Sequence, residues 1–276
     1  ICWSLVGSEM CIRDSPGCVD YLDQEMVFSH VNEGEMNLGD ATTSAFTIFD
    51  EIGVDVSYLG RDFLKCCGHD QKWQGLTEVF DKLKAYNQKK IQQSGIDTLV
   101  SSCAECFRTF ARDYELEDIK VMHTTEFLLD QGFDMSLKVA EETTVTYHDP
   151  CRLGRQMGIY DEPRELIQSV EGVSLVEMEH SGEDAMCCGV SSMMSCNENA
   201  RALRVARMEE IKSTGADTML TSCPKCVSHF ECLKFEGDER YADIKILDVV
   251  SFLAQQINEK KDKIGQVTPI AVETEA

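Results

Sequence analysis

Ten of the fourteen cysteines fall into two sets with one internal order. The first is Cys18, Cys66-Cys67-Gly68 and Cys103-Ala104-Glu105-Cys106; the second is Cys151, Cys187-Cys188-Gly189 and Cys223-Pro224-Lys225-Cys226. A lone C-x-x-C serves zinc sites, redox pairs and clusters alike. Five thiols per set narrow the choice: a disulfide uses two cysteines, and tetrahedral zinc closes with four ligands. An iron–sulfur cluster also takes four as a rule, so a fifth points to an atypical cluster in which one thiolate bridges or one iron is differently ligated.

The elements that must carry these residues can be read around them. Val54–Leu59 alternates as a strand and leads through a short polar turn to Cys66-Cys67-Gly68, where glycine lets both sulfurs face one point. Thr98–Val100 is a buried strand running directly into Cys103, and cysteines at i and i+3 share one face of a helical first turn. Helices are expected over Thr42–Ile52, from Leu76 towards Gly95, over Glu126–Asp130 and over Pro163–Val170; further strands are expected at Ile119–Met122, Val145–His148 and Val173–Met178. Ser94 to Cys103 aligns with Thr214 to Cys223, and Asp118-Ile119-Lys120-Val121 aligns with Asp243-Ile244-Lys245-Ile246, so the chain is a duplication. Strands alternating with helices imply an α/β fold of two repeated domains, each a small, largely parallel sheet with flanking helices and cysteine loops at strand C-terminal ends.

Residues 16–142 are assigned to the first repeat and 143–258 to the second, with the boundary after Glu141-Glu142. The gap from Cys18 to Cys66 holds 47 residues against 35 between Cys151 and Cys187, so the first repeat carries an insertion, placed in the polar stretch Gln24–Gly39. Ile1–Ser15 matches nothing in the second repeat and resembles translated sequencing-adapter read-through; with Cys2 and Cys11 it is left out of the fold as non-native or disordered. Residues 259–276 are expected to form a frayed tail.

Bulk composition closes off other classes. Net charge is −23, from 26 basic and 49 acidic residues, which repels nucleic acid and anionic membranes and leaves small molecules and proteins as partners. Disulfide frameworks staple small domains that lack a core, whereas 276 residues suffice for two cored units; thiolate ligands in a reducing cytoplasm fit better. No run approaches the roughly 20 apolar residues of a membrane span, so membrane contact is expected only through a partner.

The doubled order Cys, Cys-Cys-Gly, Cys-x-x-Cys resembles the CCG cysteine-rich domain of B-type and D-type heterodisulfide reductase catalytic subunits, over Pro16 to about Gln256. The same domain occurs in iron–sulfur subunits of glycolate and lactate oxidases. The resemblance implies that each set holds a noncubane 4Fe-4S cluster, through Cys18, Cys66, Cys67, Cys103 and Cys106 in one case and Cys151, Cys187, Cys188, Cys223 and Cys226 in the other. It further implies an oxidoreductase acting on sulfur groups, which cleaves a small-molecule disulfide or forms it from thiols, with the second set as the reacting one. The ferredoxin-type C-x-x-C-x-x-C runs found in D-type proteins are absent from this sequence. Electrons then arrive from a ferredoxin-like or flavoprotein subunit, or the fragment has lost those runs.

Alternatives remain open at this stage: an electron-relay subunit of a 2-hydroxy-acid oxidase, or a structural protein with zinc in one or both sets. His69 and His148, beside ligand cysteines, either hydrogen-bond cluster sulfur and move a proton, or pack and cap strand ends. Arg152 and Arg155 suit a substrate carboxylate or phosphate, or surface ion pairs. Cys196 and Cys232 lie outside both sets and read as small buried hydrophobes.

Overall fold

The computed structural model describes residues 12–15, 40–60, 63–190, 197–235 and 239–265. Its strands form two four-stranded, wholly parallel sheets. In the first, β1 (Ile12–Asp14), β2 (Val56–Tyr58), β3 (Thr98–Ser101) and β4 (Lys120–His123) lie in the order β2-β1-β3-β4. The second repeats this with β5 (Lys138–His148), β6 (Glu171–Leu175), β7 (Thr218–Thr221) and β8 (Lys245–Asp248), ordered β6-β5-β7-β8. Identical strand order, in identical chain sequence, is the structural form of the duplication.

The helices of the first repeat are α1 (Asp40–Glu51), α2 (His69–Trp73), α3 (Thr77–Gln93), α4 (Ala104–Asp113) and α5 (Thr124–Asp130). Those of the second are α6 (Gly154–Met157), α7 (Asp161–Gln168), α8 (Glu198–Ser213), α9 (Pro224–Phe235) and α10 (Val249–Gly265). Several starts are capped by side chains: His123 and Glu126 form a capping box at α5, Asn197 accepts from Ala200 N–H at α8, and Asp248 accepts from Val250 N–H at α10. Central strands β3 and β7 are buried along their whole length, as parallel strands covered on both faces must be.

One core cluster belongs to the first repeat alone, and another is shared by both repeats. Ile48 and Phe49 of α1 pack in one cluster with Val100, Phe127, Val145, Leu220 and Leu253, so the C-terminal helix α10 lies on the first repeat's α1. Helix α5 of the first repeat likewise packs on α7 of the second. Lys261 pairs with Glu51 across the first of these contacts, at 2.6 Å.

Three sequence boundaries are corrected. Ile12–Asp14, left out of the fold above, occupies the slot between β2 and β3; Ile12, Asp14 and Ser15 are buried. The topology requires a strand there, because β5 fills the matching slot in the second sheet. Strand β5 begins at Lys138 and crosses the expected boundary at residue 142, its first residue pairing with Glu171. Helix α10 runs through residues 259–265, assigned above to the tail, anchored by the Glu51 pair and by Lys260, which donates to Met135 O at 3.0 Å. The expected insertion at Gln24–Gly39 lies outside the described residues. Among them no helix is long and apolar enough to cross a membrane.

Candidate functional site

In each sheet the chain leaves the first strand for one neighbour and returns to the other side. The carboxyl ends of β1 and β3, and of β5 and β7, are therefore topological switch points, where open α/β sheets form their binding crevices. Cys151 follows β5 after two residues, and Cys223-Pro224-Lys225-Cys226 follows β7 and opens α9; Cys103 and Cys106 stand likewise after β3. The Cys-Cys-Gly loops come in from the side. Sequence order alone thus converges each set.

The two loops have one backbone design. Gly68 and Gly189 adopt φ of 81° and 84°, in the left-handed region, and each donates its N–H to the sulfur of the first cysteine of its own pair, Cys66 or Cys187, at 3.4 Å. A Cβ on Gly189 would stand 2.6 Å from the Ala200 carbonyl oxygen, and one on Gly68 would stand 2.7 Å from the Phe80 ring. The left-handed backbone favours glycine at both places, and at Gly189 the facing backbone carbonyl leaves no room for a Cβ. The second cysteine of each pair then meets the second cysteine of the C-x-x-C: Cys67 and Cys106 sulfurs are 3.1 Å apart, Cys188 and Cys226 3.4 Å.

The second set is drawn together completely. Cys187 accepts from Gly189 N–H and lies against the Cys151 and Cys188 thiols, and those hydrogen bonds pull it well below the thiol range. The bond from Cys151 to Cys187 drives Cys151 up in turn, and a separate bond from Cys188 to Cys187 pushes Cys188 up to about 12. Cys226 is raised by its bonds to Cys188 and Cys223. In the first set Cys66, Cys67, Cys103 and Cys106 converge, while Cys18 lies outside the described residues, as do Cys2, Cys11 and Cys196. Cys232 is buried in α9. None of the described cysteines forms a disulfide.

The sets meet each other. Cys223 is hydrogen-bonded to Cys103 across the repeat boundary, and that contact is the main reason its thiol is held well above the usual range. Beside it, Lys225 Nζ lies 2.6 Å from the partly buried Asp70 and 2.7 Å from Glu105, with Lys225 and Glu105 buried. Glu105 and Lys225 hold the same position in their two C-x-x-C motifs, so the duplication has opposite charges at matched positions and pairs them. Burial lifts the Glu105 carboxyl to about 8 against the pull of Lys225. His69 completes the group, with Nδ1 3.1 Å from Asp70 and 3.4 Å from Glu105.

His148 is also buried, with a ring nitrogen within 4.8 Å of the Cys188 and Cys226 sulfurs. Arg207 Nε donates to its Nδ1 at 3.1 Å, which places the neutral ring's proton on Nε2. Burial, helped by Arg207, holds its pKa at about 3. The turn that presents Cys151 is fixed by Asp149, which accepts two bonds from Arg164, at 2.7 and 2.9 Å, and one from Gly182 N–H. Arg155 donates to the carbonyls of Ala185 and Glu183, so it braces the loop ahead of Cys187. Arg152 instead lines a narrow crevice of ≈ 20 Å³ with Cys151, Cys188, Cys223, Cys226 and Glu105.

The donor set fits a cationic sulfur-ligated group. Thiol hydrogen bonds hold the buried sulfurs 3.1–3.4 Å apart; deprotonated together they would repel one another, and two of the nearby cations are already committed, Lys225 to carboxylates and Arg207 to Glu210 and His148. Iron or zinc would supply that positive charge, and soft thiolates suit both.

Parallel α/β repeats with cysteine sets at their switch points define a duplicated cysteine-rich domain protein. The chain belongs to the CCG cysteine-rich domain family, whose model matches residues 37–111 and 145–231. It is 32% identical over 222 residues to the D component of the dihydromethanophenazine:CoB–CoM heterodisulfide reductase of Methanosarcina acetivorans, a match covering 76% of this chain and 53% of that protein. It is 32% identical over 193 residues to the B component of the CoM/CoB fumarate reductase of Methanothermobacter marburgensis, covering 68% of this chain and 38% of that protein. A third relative is the EtfAB:quinone oxidoreductase of Syntrophomonas wolfei, at 27% identity over 66% of this chain and 27% of its own length. The chain thus spans about half or less of these relatives.

Sequence reasoning named the cysteines but not the residues that hold them. Glu105 and Lys225 had a signal, since aligned repeats show opposite charges at one motif position. Asn87, Tyr114, Arg207 and His229, which tie down the loops, had none.

Proposed function

We propose that this chain is an iron–sulfur subunit of an oxidoreductase, in which both cysteine sets hold noncubane 4Fe-4S clusters and the second set reduces a small-molecule disulfide or oxidises thiols. The observation that carries the reading is the gathering of nine of the ten motif cysteines, none of them in a disulfide, at two adjoining switch points, with sulfur contacts within and between the sets. Relatives named as components of a heterodisulfide reductase and a CoM/CoB fumarate reductase support the sulfur chemistry.

Cys151, Cys187, Cys188, Cys223 and Cys226 would hold the reacting group, which supplies single electrons and an iron able to bind sulfur. The chain's own part is to orient and neutralise. Neutral His148 stands beside Cys188 and Cys226, Arg207 fixes its tautomer, and the Lys225 cluster keeps the two sets in register. Single electrons would come from a ferredoxin-like or flavoprotein partner, in a reducing cytoplasm.

A second reading is favoured by the likeness to the EtfAB:quinone oxidoreductase, whose name carries no sulfur substrate: the chain relays electrons and does no chemistry of its own. Anaerobic addition of a disulfide to the reduced, iron-loaded protein separates the two. A disulfide-dependent change in the electron paramagnetic resonance spectrum, with thiol release, is expected from the first reading; an unchanged spectrum with every disulfide tried supports the relay.

A further inference from the structure

Where the start of α1, the start of α9 and the end of β8 come together, the chain encloses a cavity of ≈ 60 Å³. A water needs roughly 10–15 Å³, so there is room for a small guest. The polar side chains lining it are Asp40 of the first repeat and Asp248 and Ser251 of the second, and Pro224 and Val227 belong to its apolar wall. Among the described residues no basic side chain lines it, and neither carboxylate has an ion-pair partner.

Asp248 is 5% exposed, and its two oxygens have different surroundings. Oδ1 accepts from Val250 N–H and caps α10, whereas Oδ2 is buried with no hydrogen-bond partner. Capping alone does not call for a carboxylate, since Ser, Thr or Asn does the same work. The first repeat shows as much: His123, which aligns with Asp248, caps α5 through a ring nitrogen. The second copy therefore carries a second oxygen and a charge that its helix does not need.

Burial, with the Asp40 charge adding to it, lifts the Asp248 carboxyl to about 8. A buried, unpartnered carboxylate oxygen near a second carboxylate is costly, and a bound positive charge relieves both. Oxygen donors select Mg²⁺ or Mn²⁺ over the softer metals that thiolates hold, and Mg²⁺ binds through one or two carboxylates while keeping several waters. Net charge of −23 draws cations to the chain, and the partly exposed Asp40 gives an ion its way in.

We propose that Asp40 and Asp248, with Ser251 beside them, bind one small divalent cation, Mg²⁺ or Mn²⁺, at the junction of the two repeats. The ion ties the start of α1 to the cap of α10, across the contact where those two helices already pack. The site is built of oxygen and is independent of what the cysteine sets hold.

The test is Mn²⁺ titration of the full, anaerobically prepared chain with its cysteine sets loaded, in mildly alkaline buffer so that Asp248 is ionised. Binding is read from the room-temperature paramagnetic signal of free Mn²⁺ and from thermal melting. A single Mn²⁺ is expected to bind, to be displaced by excess Mg²⁺, and to raise the Tm by about 5 °C near saturation. Asp248→Asn keeps an acceptor for Val250 N–H and removes the charge; it should weaken Mn²⁺ binding by about ten-fold or more and erase the Tm shift. Asp40→Asn should weaken binding several-fold, and it carries the test if Asp248→Asn does not fold.

No Mn²⁺ binding by the wild type, or binding that survives both Asp40→Asn and Asp248→Asn, overturns the proposal. Binding that disappears in His180→Ala overturns it too, because it moves the ion to the Glu179, His180 and Glu210 group on the surface. Iron, sulfide and zinc contents are measured on the same samples. Lost Mn²⁺ affinity with those contents unchanged supports the site, and affinity lost only together with the metal of the cysteine sets overturns it.

Discussion

The Cys66-Cys67-Gly68 loop is tied down by neutral groups. Asn87 accepts from Lys65 N–H and donates to the Lys65 and Cys66 carbonyls, and Tyr114 O–H donates to the Cys67 carbonyl. Eight residues before Gly215, as Asn87 stands before Gly95, the second repeat has Arg207, fully buried, which reaches Glu210, the His180 carbonyl and His148. His229 takes Tyr114's part and donates Nδ1–H to the Cys188 carbonyl at 2.8 Å. Two copies of one loop therefore rest on different chemistry: amide and phenol in the first, a buried charge network in the second. Loop shape is set by the glycine and the two cysteines, and the residues beneath have diverged freely so long as the carbonyls stay satisfied. A charged support also makes the second site more sensitive to loss of a single partner.

The two copies are uncoupled most completely at the joint between them. Lys225→Met leaves Glu105 and Asp70 buried without their cation and should cost about 3–5 kcal/mol of unfolding free energy. Both sets should lose metal together, as read from denaturant titration and metal content. Next come the supports themselves. Arg207→Met should cost about 3 kcal/mol and strip metal from the second set first, whereas Asn87→Ala should cost about 2 kcal/mol and act on the first. Metal retention in chains carrying one intact set each would check that selectivity.

The glycines sharpen the likeness. Gly189→Ala drives a Cβ into a backbone carbonyl and should cost about 2 kcal/mol, while Gly68→Ala meets the rim of the Phe80 ring, which can shift, and should cost about 1 kcal/mol. Equal costs, by thermal melting of paired variants, would show that the two loops are packed alike. Smallest is Arg155→Ala, which removes two bonds from an exposed side chain and should cost about 1 kcal/mol or less, with metal content unchanged.

How much of this was legible follows from which interactions are local. The cysteine positions could be read because strand, ligand loop and helix are contiguous: Thr98–Ser101 runs straight into Cys103, and Thr218–Thr221 into Cys223. The shared core could not, because nothing local says that Val249–Gly265 will lie against Asp40–Glu51. Ile12–Asp14 was discarded on the character of its neighbours, and only the pairing of β1 with both β2 and β3 shows that the sheet needs a strand there. Buried Arg204 and Arg207 sit in a helix that reads as a solvated, charged one, since their burial depends on the cysteine loop and β5 above them. The Glu105–Lys225 pair lay in plain view in the aligned motifs, and what was missing was the recognition that the two motifs face each other.

The central claim is that both cysteine sets hold iron–sulfur clusters. It is tested most directly by iron, acid-labile sulfide and zinc content of the anaerobically prepared chain, with electron paramagnetic resonance on the same sample. Two 4Fe-4S clusters predict about eight irons and eight sulfides per chain and a paramagnetic signal in one oxidation state. Stoichiometric zinc with no sulfide and no signal would contradict the account.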